Sequence, residues 1–472
     1  MTAATGRRRY HPYFALRFMR RTLLLYLVPL VQVLFERDWA ALSTALAQDA
    51  VLFCLLAAVS WVMLRASSWE LDADGVLRLR WDLVVSFERT VQASQLAAVQ
   101  IERPVAYRLA GASRVTLYPA LLPKGRAVTL CLTRGDARRL ADCLMPAPAE
   151  QHYHPAGGER LAFVLLGANS LSTLLLVWLA LRQGDTAAEQ MAWQQLGQAA
   201  AWAARWLPAG LAWALTVWTF LFGVSLLRSF GHTVRYAVWR GGGVLATRGG
   251  LLLQVERRFR LDRLTCAEVR LSPAARLLRC YPVYLTAGCY CADDPLFVYR
   301  AGQEELVRRL LPGFALPPRR PLSLRQARGR SPVFFAPAGA CLGFFLLLLL
   351  EASWALPAAV PMLALPAVLC AVWLAFSLEG WFLEGAQPFG RRLTFVRQRR
   401  LSLRLVCVFT PAAALKITQT PWGVLRGRAN LTFAYPGRLH ETVRSIPLAD
   451  ADACAAFLER NDPYENSQDH PL

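Results

Sequence analysis

Four stretches of this chain run for 20 or more residues without a charged side chain: Leu161–Leu181, Trp206–Leu227, Ser331–Leu350 and Ala352–Leu378. A bilayer core of about 30 Å needs about 20 helical residues, so each of the four is read as a spanning helix. Two shorter runs, Thr22–Phe35 and Ala50–Leu64, complete a pattern of three helical pairs. The first becomes long enough if Arg17, Arg20 and Arg21 snorkel to the headgroups. A cleaved signal peptide ending near Ala45-Leu46-Ala47 is disfavoured, because Glu36, Arg37 and Asp38 interrupt the segment before it.

Arginine placement sets the expected orientation. Arg7, Arg8, Arg9, Arg17, Arg20 and Arg21 precede the first run, and Arg319, Arg320, Arg325, Arg328 and Arg330 precede the fifth. The loop between the third and fourth runs balances Arg182 and Arg205 against Asp185 and Glu189. Excess positive charge marks the cytoplasmic side, so both termini and all long polar segments are expected there.

Those polar segments repeat. Phe87–Ala110 returns 168 residues later as Val255–Leu278, with Glu88 matching Glu256, Ile101 matching Val269, and Leu109 matching Leu277. A third copy lies 148 residues further on, where Ile417, Leu425 and Phe433 match Val269, Leu277 and Leu285. A repeat this long indicates duplicated domains rather than a solenoid. Within the first copy, WELDADGVLRLRW alternates around Asp74-Gly75, a hairpin signal. Short segments rich in β-branched and aromatic residues follow. RGDARRLADCLM then places Leu140, Cys143 and Leu144 on one helical face. Several strands closed by one helix read as a small antiparallel barrel or sandwich.

The chain resembles the bacterial pleckstrin-homology-like (PH-like) membrane-flanked family in a multi-span, three-module form. The resemblance rests on HPYFALRFMRR, on WELDADGVLRLR, and on the strand-plus-loop elements QLAAVQIERPVAYRLAGASRVTLYPA and RLTCAEVRLSPAARLLRCYPVYLTA. It implies an α+β membrane protein with six transmembrane helices in three hairpins, each followed by a cytoplasmic PH-like β-barrel or sandwich with a C-terminal helix. The expected divisions are 1–66 (N-terminal segment and helices 1–2), 67–150 (module 1), 151–229 (helices 3–4) and 230–315 (module 2). Then come 316–330 (basic linker), 331–378 (helices 5–6), 379–461 (module 3) and 462–472 (a disordered tail). Arg279 stands where the matching loops carry Gly111 and Gly427, and module 3 departs furthest from the pattern.

The net charge is +21, and 51 of the 53 basic residues are arginine, a ratio that coding bias explains as well as function does. Placement therefore carries the argument. Arg319, Arg320, Arg325, Arg328 and Arg330 form an acid-free run beside the fifth apolar stretch, and are the expected contacts for anionic lipid. Topology alone is the competing role for them. A nucleic-acid partner is not expected, because the charge lies beside the apolar runs. Gly339 and Gly343 form a GxxxG pattern that would let helices pack closely.

No catalytic signature is present. Cys289-x-Cys291 lacks a second pair at zinc spacing and reads as alternating strand residues. His152-x-His154 reads as a solvated linker. Gly241-Gly242-Gly243 and Gly249-Gly250 read as turns rather than a phosphate cradle. No cofactor, metal or enzymatic activity is expected. The expected function is a non-catalytic platform in the bacterial inner membrane, binding anionic headgroups or a protein partner, or associating with itself. Envelope maintenance or stress tolerance is the process such a platform would serve. The alternative is a six-helix transport or lipid-moving protein, for which Asn169 and Thr173 would line a water-filled cavity.

Overall fold

The computed structural model describes residues 5–15, 39–167, 187–316 and 327–460, apart from short breaks at 73–74, 83–85, 121–126, 207–208, 293, 328, 357–358, 390–391, 400, 410–413 and 436–437. Three blocks share one plan. In the first, β1 (Thr5–Arg9) joins β2 (Ser67–Leu71), β3 (Val76–Asp82) and β4 (Ser86–Gln92) in a four-stranded sheet. Helix α1 (Trp39–Ala66) leads into β2, and Gly75 at φ +73° makes the turn between β2 and β3. A meander of β5 (Leu96–Pro104), β6 (Ala112–Pro119) and β7 (Val128–Thr133) follows, with the short α2 (Val105–Leu109) between its first two strands. Helix α3 (Arg134–Leu144) closes the block, capped by the Thr133 hydroxyl accepting from Asp136 N–H. It buries Ala137, Leu140, Ala141 and Leu144 against Trp69, Leu77, Leu117 and Leu130.

The N-terminal segment belongs to this block rather than to a separate membrane-entry region. Tyr10 is buried in the same core, and Arg8 pairs with Asp136 of α3. The second block repeats the arrangement. β8 (Gln151–Tyr153) precedes helices α4 (Gly158–Gly167), α5 (Ala187–Ala203) and α6 (Ala209–Thr233), then pairs with β9 (Ala237–Gly241) beyond them. The His152-x-His154 stretch is thus the edge of a sheet, not a solvated linker. Strands β10 (Val244–Gly249) and β11 (Leu253–Arg260) complete this half, and β12 (Leu264–Leu271) opens the other. There α7 (Pro273–Leu277) precedes β13 (Cys280–Ala287), β14 (Tyr290–Cys291) and β15 (Phe297–Arg300), and α8 (Glu304–Leu310) closes the block. Helices α9 (Ala336–Ala355) and α10 (Val360–Leu383) lead into the third block. It comprises β16 (Gly385–Phe389), β17 (Arg392–Arg399), β18 (Ser402–Val408) and β19 (Ala414–Thr418), then α11 (Pro421–Leu425), β20 (Arg428–Tyr435), β21 (Arg438–Pro447) and α12 (Leu448–Arg460).

The six-helix expectation is overturned. Among the described residues, two helical segments are long and apolar enough to cross a membrane, Ala336–Ala355 and Met362–Leu383. An uncharged run in sequence is not a helix of equal length. Among the described residues Phe53–Ala66 of α1 counts as a shorter apolar segment, about 21 Å at 1.5 Å per residue. The expected run Trp206–Leu227 is not one helix: a turn ends at Trp206, and α6 starts at Ala209 and continues to Thr233, which is fully buried at the second block. The expected loop before it is largely helical, as α5. Thr22–Phe35 lies outside the described residues, as does Leu161–Leu181 beyond Gly167.

The blocks are also not separate bodies. β5 of the first pairs antiparallel with β11 of the second, so the sheet runs β7-β6-β5-β11-β10-β9-β8. β12 of the second pairs in the same way with β18 of the third. Burial on both faces is complete along Leu96–Ile101 of the first joint, as suits a strand largely apolar on both sides. Ala97, Ala98 and Ala120 of the first block accordingly sit in the core of the second, alongside Leu403, Leu405 and Cys407 of the third. Gly288, at φ +51°, lies so close to the Pro119 carbonyl that an added Cβ would meet it at 2.4 Å.

Arg258 locks the first joint. It is buried and donates to Glu256, to Asp142 at 2.6 Å and to the Met145 carbonyl at 2.7 Å, the last two at the end of α3. Removing one partner from a buried ion pair costs about 3–5 kcal/mol. Arg258→Ala should therefore raise hydrogen exchange of the β5 and β11 amides by roughly 100- to 1,000-fold or more. Unchanged protection of these strands would show that the joint does not depend on this side chain.

Candidate functional site

Three short helices mark equivalent positions in the three blocks. α2, α7 and α11 each follow the first strand of a meander, and each is too short to bury a face of its own. Two are fixed by side-chain caps, Ser272 accepting from Ala275 N–H and Thr420 from Gly423 N–H, with proline in the first turn. Each ends on a leucine in open solvent: Leu109 is 85% exposed, Leu277 86% and Leu425 80%. Neighbouring apolar side chains extend the tips, with Leu251 and Leu252 beside the first and Trp422 and Val424 on the third. Scattered exposed leucines need no explanation, but the same leucine exposed at all three repeats does.

The tips lie at the bases of the helical pairs. Arg276 of α7 pairs with Glu379 of α10 at 2.8 Å, and its guanidinium lies 5.2 Å from the Phe376 ring centroid. α7 also packs on α4. Arg108 of α2 donates to the Leu251 carbonyl at 2.8 Å, in the turn between β10 and β11. Thr420 and Gly423, at the start of α11, share a small cavity with Val333 and Phe334, which lead into α9.

At the joint of blocks one and two lies a cavity of about 420 Å³. Arg103, Arg134, Arg138, Arg235 and Arg248 line it together with His154. Its one carboxylate, Glu256, is already engaged by Arg258 at 2.6 Å. Burial holds the Arg103 guanidinium below the ordinary arginine range, and Arg134, Arg138, Arg108 and Arg248 depress it further. Its Nε is buried without a hydrogen-bond partner among the described residues. Five cations around one engaged carboxylate give the cavity a lining that can accept an anion, and guanidinium forks suit phosphate oxygens.

A second cavity, of about 610 Å³, separates α10 from the third block. Pro337, Leu369, Cys370 and Trp373 line its helical side. Arg397, Arg399 and Arg444 line its foot. Arg397 pairs with Glu441 and Arg444 with Glu384, while among the described residues no carboxylate partners Arg399.

The basic run read from sequence does not supply these arginines. Arg319, Arg320, Arg325 and Arg328 lie outside the described residues. Arg330 is 3% exposed and turned inward, which corrects its reading as a lipid contact. It donates to the carbonyls of Gly380, Trp381 and Glu384, occupying the C-terminal end of α10 where a cation suits the helix dipole. Burial, opposed by Glu384, pulls its pKa down to about 10. His154 holds the matching place in block two, with Nδ1 at 2.7 Å from the Tyr236 carbonyl, and Tyr236 lies 148 residues before Glu384. Both residues clamp the start of a helical segment to its end. An added Cβ at Gly339 or Gly343 would meet no described atom within 4 Å.

Among the described residues no group of three His, Cys, Asp or Glu side chains is placed to hold a metal ion. Asn169 and Thr173, the residues of the transport reading, lie outside the described residues. No family model, curated protein or solved structure matches the chain.

The clamp makes its own prediction. Arg330→Ala removes the side-chain donor to the Trp381 and Glu384 carbonyls, leaves Gly380 with the Glu384 N–H, and takes one cation from beside the buried Glu384 carboxylate. Hydrogen exchange at 380–386 should then rise by about 10- to 100-fold, from a cost of about 1–3 kcal/mol. An unchanged rate would mean that the arginine is not what holds the helix end.

Proposed function

We propose that this chain is a non-catalytic membrane platform whose β-blocks dock on the bilayer surface and bind anionic lipid headgroups. The observation that carries the reading is the arginine-lined cavity at the first joint, whose lining residue Gly250 leads directly into the exposed Leu251 and Leu252. Leucines on a rigid tip enter the headgroup–acyl boundary, and basic residues near the surface attract anionic lipid at about 1 kcal/mol each. The two segments apolar enough to span supply the anchor, and Arg276 braces the second tip against one of them. The cavity beside α10 fits the same chemistry, with apolar walls for an acyl chain and Arg399 for its headgroup.

The PH-like resemblance supports the reading through the plan of the blocks. The resemblance implies a β-barrel or sandwich closed by a helix, and the first block has a four-stranded sheet, a three-stranded meander and a closing helix. A position in a bacterial inner membrane, with the blocks on the cytoplasmic side, is part of the same proposal and rests on arginine placement.

Native mass spectrometry of the full chain, released from nanodiscs of mixed phosphatidylglycerol and phosphatidylcholine, tests it. Arg103→Gln combined with Arg248→Gln should lower retained phosphatidylglycerol about tenfold or more and leave phosphatidylcholine unchanged. Equal retention of phosphatidylglycerol by the folded variant would remove the cavity as a headgroup site.

A further inference from the structure

The two joints between blocks use one register. In the first, Leu245 of β10 lies opposite Phe259 of β11, which lies opposite Ala98 of β5. In the second, Leu393 of β17 lies opposite Val408 of β18, which lies opposite Cys266 of β12. Leu393 follows Leu245 by 148 residues, and Cys266 follows Ala98 by 168. The same rung is therefore built twice. In each case the last strand of one block's first sheet receives the first strand of the preceding block's meander.

Three blocks joined twice leave one of each strand over. β4 is the first-block equivalent of β11 and ends its sheet. β19 is the third-block equivalent of β5 and β12 and also ends its sheet. Phe87 of β4 is 58% exposed and Ile417 of β19 is 38% exposed. An open strand edge is a template for another chain.

We infer that a second copy of this chain occupies these edges, with β19 of one copy pairing antiparallel with β4 of the next in the register of the two internal joints. The rung Leu77 opposite Val91 is already formed in the β3–β4 hairpin. Continuing the pattern sets Val91 opposite Ala414 of the neighbouring copy, Arg89 opposite Lys416, and Phe87 opposite Thr418. Two different surfaces meet, so the contact is heterologous and propagates into a ring or a filament. Arg89 facing Lys416 sets two like charges opposite each other. The second internal joint tolerates the same situation, with Arg270 opposite Arg404 and Glu268 paired to both. In the proposed contact this repulsion limits affinity and keeps association reversible.

Disulfide formation between two full-length chains in one proteoliposome tests the register. The exposed Cys54, Cys291 and Cys341 are replaced by serine in both. One chain carries Phe87→Cys and the other Thr418→Cys; residues directly opposite in a ladder come close enough to bridge. The mixture should form crosslinked dimer that neither chain forms alone, and one chain with both substitutions should form a ladder of higher species. Adding Lys416→Glu to the second chain should raise the initial crosslinking rate roughly fivefold by placing a carboxylate opposite Arg89. Phe87→Cys mixed with Leu415→Cys, three positions out of register, should not crosslink. No mixed dimer, dimer from either chain alone, or a rate that Lys416→Glu leaves unchanged would overturn the inference and leave Lys416 as a charge that blocks the edge.

Discussion

The structure depends on the antiparallel pairing of β5 with β11 and of β12 with β18. A block of this size would otherwise expose a strand edge on each side and a modest core between them. Sharing the sheet removes both problems, because the joint edges are paired and the neighbouring cores become continuous. Arg258 and Gly288 then fix the first joint, one by bridging to the end of α3 and the other by allowing contact with Pro119. Rigidity between blocks follows from main-chain hydrogen bonds rather than from linkers.

That rigidity gives the surface features their meaning. Three exposed leucines on independent domains would be unrelated, but on a fused rack their relative positions are set. Clamps at the helix ends extend the same logic, with His154 and Arg330 holding equivalent carbonyls in blocks two and three. The arginine cavity exists only because two blocks meet, since Arg103, Arg134 and Arg138 come from one and Arg235 and Arg248 from the other.

Much of the local structure was legible in the residues. The Gly75 hairpin, the closing helices and the threefold repeat follow from alternation, turn chemistry and helical spacing. The tip helices were also signalled, by Ser272-Pro273 and Thr420-Pro421 as cap and first-turn proline, although that signal was not read. The joints were hidden because strand pairing between repeats is long-range. The one available sign was apolar residues on both faces of Leu96–Ile101, where a half-exposed strand would alternate. The helices misled for a simpler reason: uncharged length was equated with helical length, whereas the run from Trp206 begins in a turn and α6 starts at Ala209. Arg330 was grouped with its basic neighbours by sequence, while packing turned it inward to the end of α10.

The claim at the centre of this account is that the fused blocks present all three tips to one lipid surface. Nitroxide labels at Leu109→Cys, Leu277→Cys and Leu425→Cys, each in the full chain in proteoliposomes, test it by accessibility to oxygen against a water-soluble nickel reagent. The account predicts that all three labels report depths below the lipid phosphates. A label at any of the three that remains accessible as in bulk water would contradict it.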